Sequence, residues 1–196
     1  MKSYNILVIG VGGQGSVLAS DIICETALLE NTDVKKSEVH GMAQRGGSVV
    51  SHVRIGEKVY SPTISLGDAD YVVSLERMEF LRYMEFVSKK TILISNSQKI
   101  IPSSIINDAE LYPDKDINLY KKNFKKSYEF DAFEVAKNLG NPRGVGVVML
   151  GFLSVFLPFS KENWEKAISF KVPKKTIETN ILVFRKGLEI GQNRLK

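Results

Sequence analysis

The sequence predicts an α/β protein: one three-layer domain spanning residues 1–196, with a mixed sheet, a β-hairpin and helices towards the C-terminus. Three observations carry this expectation. Short apolar runs alternate with helix-length segments through most of the chain. The apolar run Tyr4–Ile9 leads directly into Gly10-Val11-Gly12-Gly13-Gln14-Gly15, the pattern of a strand, a tight turn and a helix start. The last quarter lacks strand signals and holds three helix-like stretches. At 196 residues the chain suffices for one sizeable core and only marginally for two.

Taken in order, Tyr4–Ile9 is the first strand, a helix follows from about Gly15 to Leu29, and Asp33–Val39 is the second strand. This reads as a βαβ unit with parallel strands and a right-handed crossover. Ser48–Ile55 is valine-rich and partly alternating. Gly56-Glu57 is a turn signal and Lys58-Val59-Tyr60 a short return strand, so a hairpin is expected there, ended by Ser61-Pro62. Asp70–Ser74 and Thr91–Ile94 are short buried strands. Between them, apolar residues at Met78, Leu81, Tyr83, Met84 and Val87 mark an amphipathic helix over Arg77–Val87.

Asp114–Phe124 reads as a helix and Tyr128–Phe130 as a strand. Asp131 with Glu134 forms a capping-box signature for a helix running to Leu139, stopped by Gly140-Asn141-Pro142. Val145–Leu157 is apolar nearly all round, which predicts a buried helix. Ser160 is placed to cap Lys161–Phe170, with Phe159 stapled against Trp164. A final helix is expected from Lys174 to Ile190, after Pro173.

Composition narrows the chemistry. The net charge of +5 is compatible with an anionic ligand or acidic partner, but no RNA-binding aromatic motif or zinc-finger spacing accompanies it, so no nucleic acid is expected. One cysteine, Cys24, cannot form an internal disulfide or by itself ligate an iron–sulfur cluster. Its apolar surroundings suit a core residue better than a reactive thiol. The absence of disulfides and of room for a signal peptide before the first strand suits a cytoplasmic protein. No apolar run approaches the roughly 20 residues of a membrane helix, so no membrane is expected. The basic run Lys121–Lys126 reads as a solvated face, with docking to an acidic protein as the alternative.

Two glycine clusters carry the functional signal. Gly10, Gly12 and Gly15 satisfy G-x-G-x-x-G, and with Gly13 and Gln14 they form a turn at a helix N-terminus. In a Rossmann-like sheet such a turn receives a pyrophosphate, and Asp33 or Glu38 would stand near the ribose. The alternative is a turn needed only for close packing. The second cluster contains His40, Gln44, Arg45, Gly46 and Gly47. An arginine fork beside a glycine loop suits phosphate or carboxylate, and an imidazole can exchange a proton near neutral pH. The same residues could instead hold the loop together or face a neighbouring subunit. His52 falls inside a strand and reads as structural. No metal site and no catalytic residue is assigned.

Four segments together resemble a known family: Ile6–Gly15, Ser37–Gly56, Lys58–Pro62 and Leu139–Arg143. They are similar to the small subunit of 2-oxoacid:ferredoxin oxidoreductases, equivalent to the gamma domain of pyruvate:ferredoxin oxidoreductase. The resemblance spans about Ser3 to Leu188. The wording His40-Gly41-Met42-Ala43-Gln44-Arg45-Gly46-Gly47 looks more like the indolepyruvate branch than the pyruvate and 2-oxoglutarate branches. One departure is Gly144-Val145-Gly146, glycine-rich for the start of a buried helix.

The resemblance implies oxidative decarboxylation of an aryl 2-oxo acid such as indolepyruvate, with transfer of the acyl group to coenzyme A and of electrons to ferredoxin. It also implies a large alpha subunit carrying thiamine diphosphate and iron–sulfur clusters. This chain has no thiamine-diphosphate segment of the GDG…N type and cannot hold a cluster with Cys24 alone, so no cofactor is assigned to it by itself. Its expected role is to cover the partner's active site. Gly10, Gly12, Gly13, Gln14 and Gly15, with His40, Gln44, Arg45, Gly46 and Gly47, would face the partner or the entering coenzyme A. Two alternatives stay open: a stand-alone NAD(P)- or FAD-binding oxidoreductase, and a non-catalytic assembly or regulatory subunit.

Overall fold

In a computed structural model, residues 3–41, 47–102, 106 and 108–195 are described. Six strands form one mixed sheet: β1 (Tyr4–Val11), β2 (Asp33–His40), β3 (Ser48–Gly56), β4 (Tyr71–Ser74), β5 (Ile92–Asn96) and β6 (Lys126–Phe130). Their spatial order is β2-β3-β1-β4-β5-β6. The four strands β1-β4-β5-β6 are parallel, whereas β3 runs antiparallel to both β1 and β2.

This order corrects two expectations. β1 and β2 do share a direction, since each opposes β3, but they are not neighbours. The hairpin is β2–β3, with the second glycine cluster between its strands, and Lys58–Tyr60 is not a strand. The reason is edge availability. β3 pairs along its length with β1 on one side and β2 on the other, from Ser48 opposite Val11 to Gly56 opposite Asp33. No edge remains for a return strand, and a sheet strand has only two. Residues 57–63 instead wrap the hairpin base, where Val59 N–H donates to the Asp33 carboxylate at 2.7 Å and Arg54 donates to the carbonyls of Ser61 and Thr63.

Helices cover both faces. On one face lie α1 (Ser16–Leu29), α3 (Ala132–Asn138), α4 (Val145–Ser154), α5 (Lys161–Lys171) and α6 (Ile177–Leu195). The other face is covered by α2 (Asp114–Tyr120) and a 3₁₀ segment, Glu79–Phe86, around Leu7, Ile9, Phe80 and Leu93. The helix expected over Arg77–Val87 is this 3₁₀ segment. It breaks at Tyr83, whose hydroxyl lies 3.0 Å from Ser48 Oγ. The caps read from sequence are present: Asp131 accepts from Glu134 N–H, and Ser160 accepts from Asn163 N–H.

Every residue of α4 is buried, and it crosses α6 with almost no separation. A Cβ on Gly187 would lie 2.0 Å from the Val148 carbonyl oxygen, and one on Gly151 2.1 Å from that of Phe184. The backbones touch there because neither residue has a side chain. The glycine-rich start of α4 has the same cause: Gly144 stands at the N-cap, and a Cβ on Gly146 would press on the Gly15 carbonyl oxygen at 3.2 Å.

Candidate functional site

The site forms where β1 ends. The chain turns through Gly13 (φ 98°) and Gly15 (φ 84°), backbone conformations that L side chains adopt only with strain, and enters α1. No side chain caps α1. Among the described residues, the N–H groups of Gly13, Gly15, Ser16 and Val17 have no acceptor. A helix N-terminus with free donors and the positive end of the helix dipole is suited to an anion.

The hairpin supplies the opposite wall. Gly12 N–H donates to the Gly47 carbonyl at 2.9 Å, which ties the two glycine clusters together, and Gly41 N–H donates to the Ser48 carbonyl at 2.8 Å. His40 stands level with Gly10, since both pair with Val49. Between the walls lies a cavity of about 840 Å³, lined by Gly13, Gly15, Ser16 and Asp21 on one side and by His40 and Gly41 on the other. This volume lies within the range of small-molecule sites, roughly 300–1,000 Å³.

Four charged or titratable side chains follow one another along the α1–β2 wall. Lys36 Nζ bonds the Asp21 and Glu38 carboxylates together, and the second Glu38 oxygen lies 3.2 Å from His40 Nε2. Burial alone would raise the Glu38 carboxyl, but the hydrogen bonds from Lys36 and His40 outweigh it and hold the group below its usual range. The His40 ring is exposed at the cavity mouth.

The predicted site residues separate into three groups. Gly12, Gly13, Gly15 and His40 line the cavity, with Gly47 bonded to its edge. Gly10 and Gln14 do not line it. Gly10 is buried within β1, where a Cβ would meet Leu75 at 3.2 Å. The Gln14 amide accepts from Val11 N–H at 2.8 Å and donates to the Leu75 carbonyl at 3.0 Å, pinning the turn to the end of β4. The Gly12 N–H, already given to Gly47, is likewise not free for a ligand. Gln44, Arg45 and Gly46 lie outside the described residues.

Asp21 and Lys36 were missed in the sequence. The available signal was strand alternation: Val34, Lys36, Glu38 and His40 share one face of β2, towards α1. Pro142 and Arg143 of the fourth resembling segment border a small cavity of about 160 Å³ beside Gly13 and Gln14. That places this distant segment against the glycine turn.

Neither acid considered for ribose is free at the turn. Asp33 is at the far end of β2, opposite Gly56, and accepts from Val59 N–H; Glu38 is held by Lys36 and His40. Cys24, on α1, is partly buried against the core, and desolvation pushes its thiol up to about 12, so it is neither a thiolate nucleophile nor a ready metal ligand. Among the described residues no group of three or more His, Cys, Asp or Glu side chains could hold a metal ion. His52 is structural, as expected: it is buried in β3, its Nδ1 accepts from Ile64 N–H, and burial lowers its pKa. Among the described residues no helix is long and apolar enough to cross a membrane.

A glycine turn opening onto an uncapped helix, faced by an antiparallel hairpin inserted beside the parallel strands, defines the class. The pyruvate ferredoxin/flavodoxin oxidoreductase family model matches residues 5–190, and the chain belongs to that family. Within it, the chain is 40% identical to the indolepyruvate oxidoreductase subunit IorB of Archaeoglobus fulgidus, covering 97% of this chain and 94% of that one. It is 36% identical to the corresponding subunit of Thermococcus kodakarensis, covering 100% and 99%.

Among solved structures, the gamma subunit of a keto/oxoacid ferredoxin oxidoreductase from Geobacter sulfurreducens superposes with a TM-score of 0.72 at 25% identity, covering 97% of this chain and 99% of that one. The fold is also found in the 2-oxoglutarate:ferredoxin oxidoreductase of Magnetococcus marinus, solved with 2-oxoglutarate, coenzyme A and succinyl-CoA bound. There the TM-score is 0.78 at 19% identity, covering 98% of this chain and 32% of that one.

Proposed function

We propose that this chain is the small subunit of a 2-oxoacid:ferredoxin oxidoreductase of the indolepyruvate type, and that its glycine-turn cavity receives the phosphate-bearing end of coenzyme A. The observation that carries the site is the uncapped α1 N-terminus opening into the 840 Å³ cavity. The identity to two IorB subunits over nearly the whole chain supports the aryl 2-oxo acid as substrate of the assembled enzyme.

The residues present do not fit the redox cofactors. A single, partly buried cysteine offers no cluster ligation, and the chain has no GDG…N segment for thiamine diphosphate, so both cofactors belong on a large alpha subunit, which delivers electrons to ferredoxin. This chain contributes a binding surface, not reacting atoms, and works in the cytoplasm. The whole of residues 1–196 acts as one domain against that partner.

Anaerobic co-purification of the tagged chain, followed by indolepyruvate- and coenzyme-A-dependent viologen reduction, tests the assignment. An active complex with a large iron–sulfur, thiamine-diphosphate subunit is the expected result; an inactive, colourless lone chain from a preparation shown to retain oxygen-labile enzymes would refute it. In the complex, Arg45→Ala is expected to raise the KM for coenzyme A by about tenfold, the value of one lost charge-assisted hydrogen bond. Loss of the complex with an unchanged KM would make Arg45 an interface residue instead.

A further inference from the structure

The α1–β2 wall presents a problem of charge. Asp21 lines the cavity and Glu38 stands just behind His40, so two carboxylates flank a site whose open N–H groups are suited to an anion. Left alone, they would repel a phosphate. The Lys36 ammonium lies between them and bonds both, with its side chain only 21% exposed. The other groups facing it are the His40 imidazole, through Glu38, and the partly buried, neutral Cys24 thiol.

Resting on the coenzyme A reading above, we infer that Lys36 is a positioning residue that neutralises Asp21 and Glu38 and so makes the glycine-turn cavity selective for a phosphate-bearing ligand. Lys36 does not touch the ligand in this role. It turns two acids into parts of a compensated network, in which the wall carries one negative charge with neutral His40 and none with protonated His40. Without Lys36 the wall gains a further negative charge. A unit charge at the wall of such a site changes phosphate binding by about 3- to 30-fold, depending on how far solvent screens it.

The test uses the assembled enzyme and coenzyme A as probe. Lys36→Gln should raise the KM for coenzyme A by about 3- to 30-fold, with kcat at saturation retained. The increase should shrink as ionic strength rises. Lys36→Arg should restore the wild-type value, and Lys36→Gln combined with Glu38→Gln should recover much of the loss by removing one uncompensated acid. A double variant as impaired as the single, or a KM change insensitive to salt, would overturn the proposal in favour of a packing role.

Gly13→Ala, measured in parallel, separates this inference from the reading beneath it. If Gly13→Ala raises the KM and Lys36→Gln does not, only the role of Lys36 fails. If neither moves it, the cavity is not the coenzyme A site and both fail.

Discussion

Glycine serves opposite purposes at the start of α1 and at the crossing of α4 with α6. At the start of α1, Gly13 and Gly15 have open space around them, and their lack of a side chain leaves backbone donors uncovered. Further along, Gly151 and Gly187 have no space at all, and their lack of a side chain lets two helices touch. The first arrangement keeps a surface available and the second eliminates one. A glycine therefore signals close approach, while its surroundings decide whether the approaching group is part of the protein.

Adding a methyl group at each place separates the two roles. The largest effect is expected at the helix crossing. Gly187→Ala would drive a Cβ to 2.0 Å from a backbone oxygen that cannot rotate away. Forced backbone separation should cost about 3 kcal/mol or more, read as a large drop in the urea midpoint of the isolated chain. A loss below about 1 kcal/mol would mean that α4 and α6 do not cross so closely.

A smaller and different effect is expected at the turn. Gly13→Ala meets no atom within 4 Å but must adopt φ near 98°. The expected cost is about 1–2 kcal/mol of stability. Because Gly13 lines the cavity, the KM for coenzyme A in the complex should rise about tenfold. Equal stability losses for Gly13→Ala and Gly187→Ala, with no change in KM, would erase the distinction between the turn and the helix crossing.

The smallest expected effect sharpens the comparison through charge. In the helical region, Glu165 is held below its usual range chiefly by hydrogen bonds from Arg185, at 2.7 and 2.8 Å. A depressed carboxylate contributes stability above its unfolded pKa and loses it as pH falls through the lower, folded value. Glu165→Gln should therefore be less stable than wild type near pH 7, and the two should converge in acid. Urea midpoints measured from about pH 7 to about pH 3 check this, and the KM for coenzyme A should stay unchanged. Parallel stability curves would show that the Arg185 pair contributes nothing.

Much of the fold was legible because its signals are local. Strand runs, the Asp131 and Ser160 caps and the all-apolar α4 depend on neighbours a few residues away. Strand pairing does not. Lys58–Tyr60 looked like a return strand because a turn signal preceded it, but both edges of β3 were already occupied by β1 and β2. Likewise, Gln14 looked ligand-facing by its place in the motif, yet its amide is consumed by Val11 and Leu75, the latter far along the chain.

The sequence by itself determined the α/β class, the family resemblance, and the exclusion of cysteine-ligated clusters, since each follows from residue types and their spacing. Tertiary structure decided which glycine donors remain free, that the two clusters meet through Gly12 and Gly47, and that Lys36 stands between Asp21 and Glu38. These depend on which groups reach each other after folding. A hydrogen bond or ion pair is set by distances of about 3 Å between residues far apart in sequence, and residue spacing along the chain does not encode such distances.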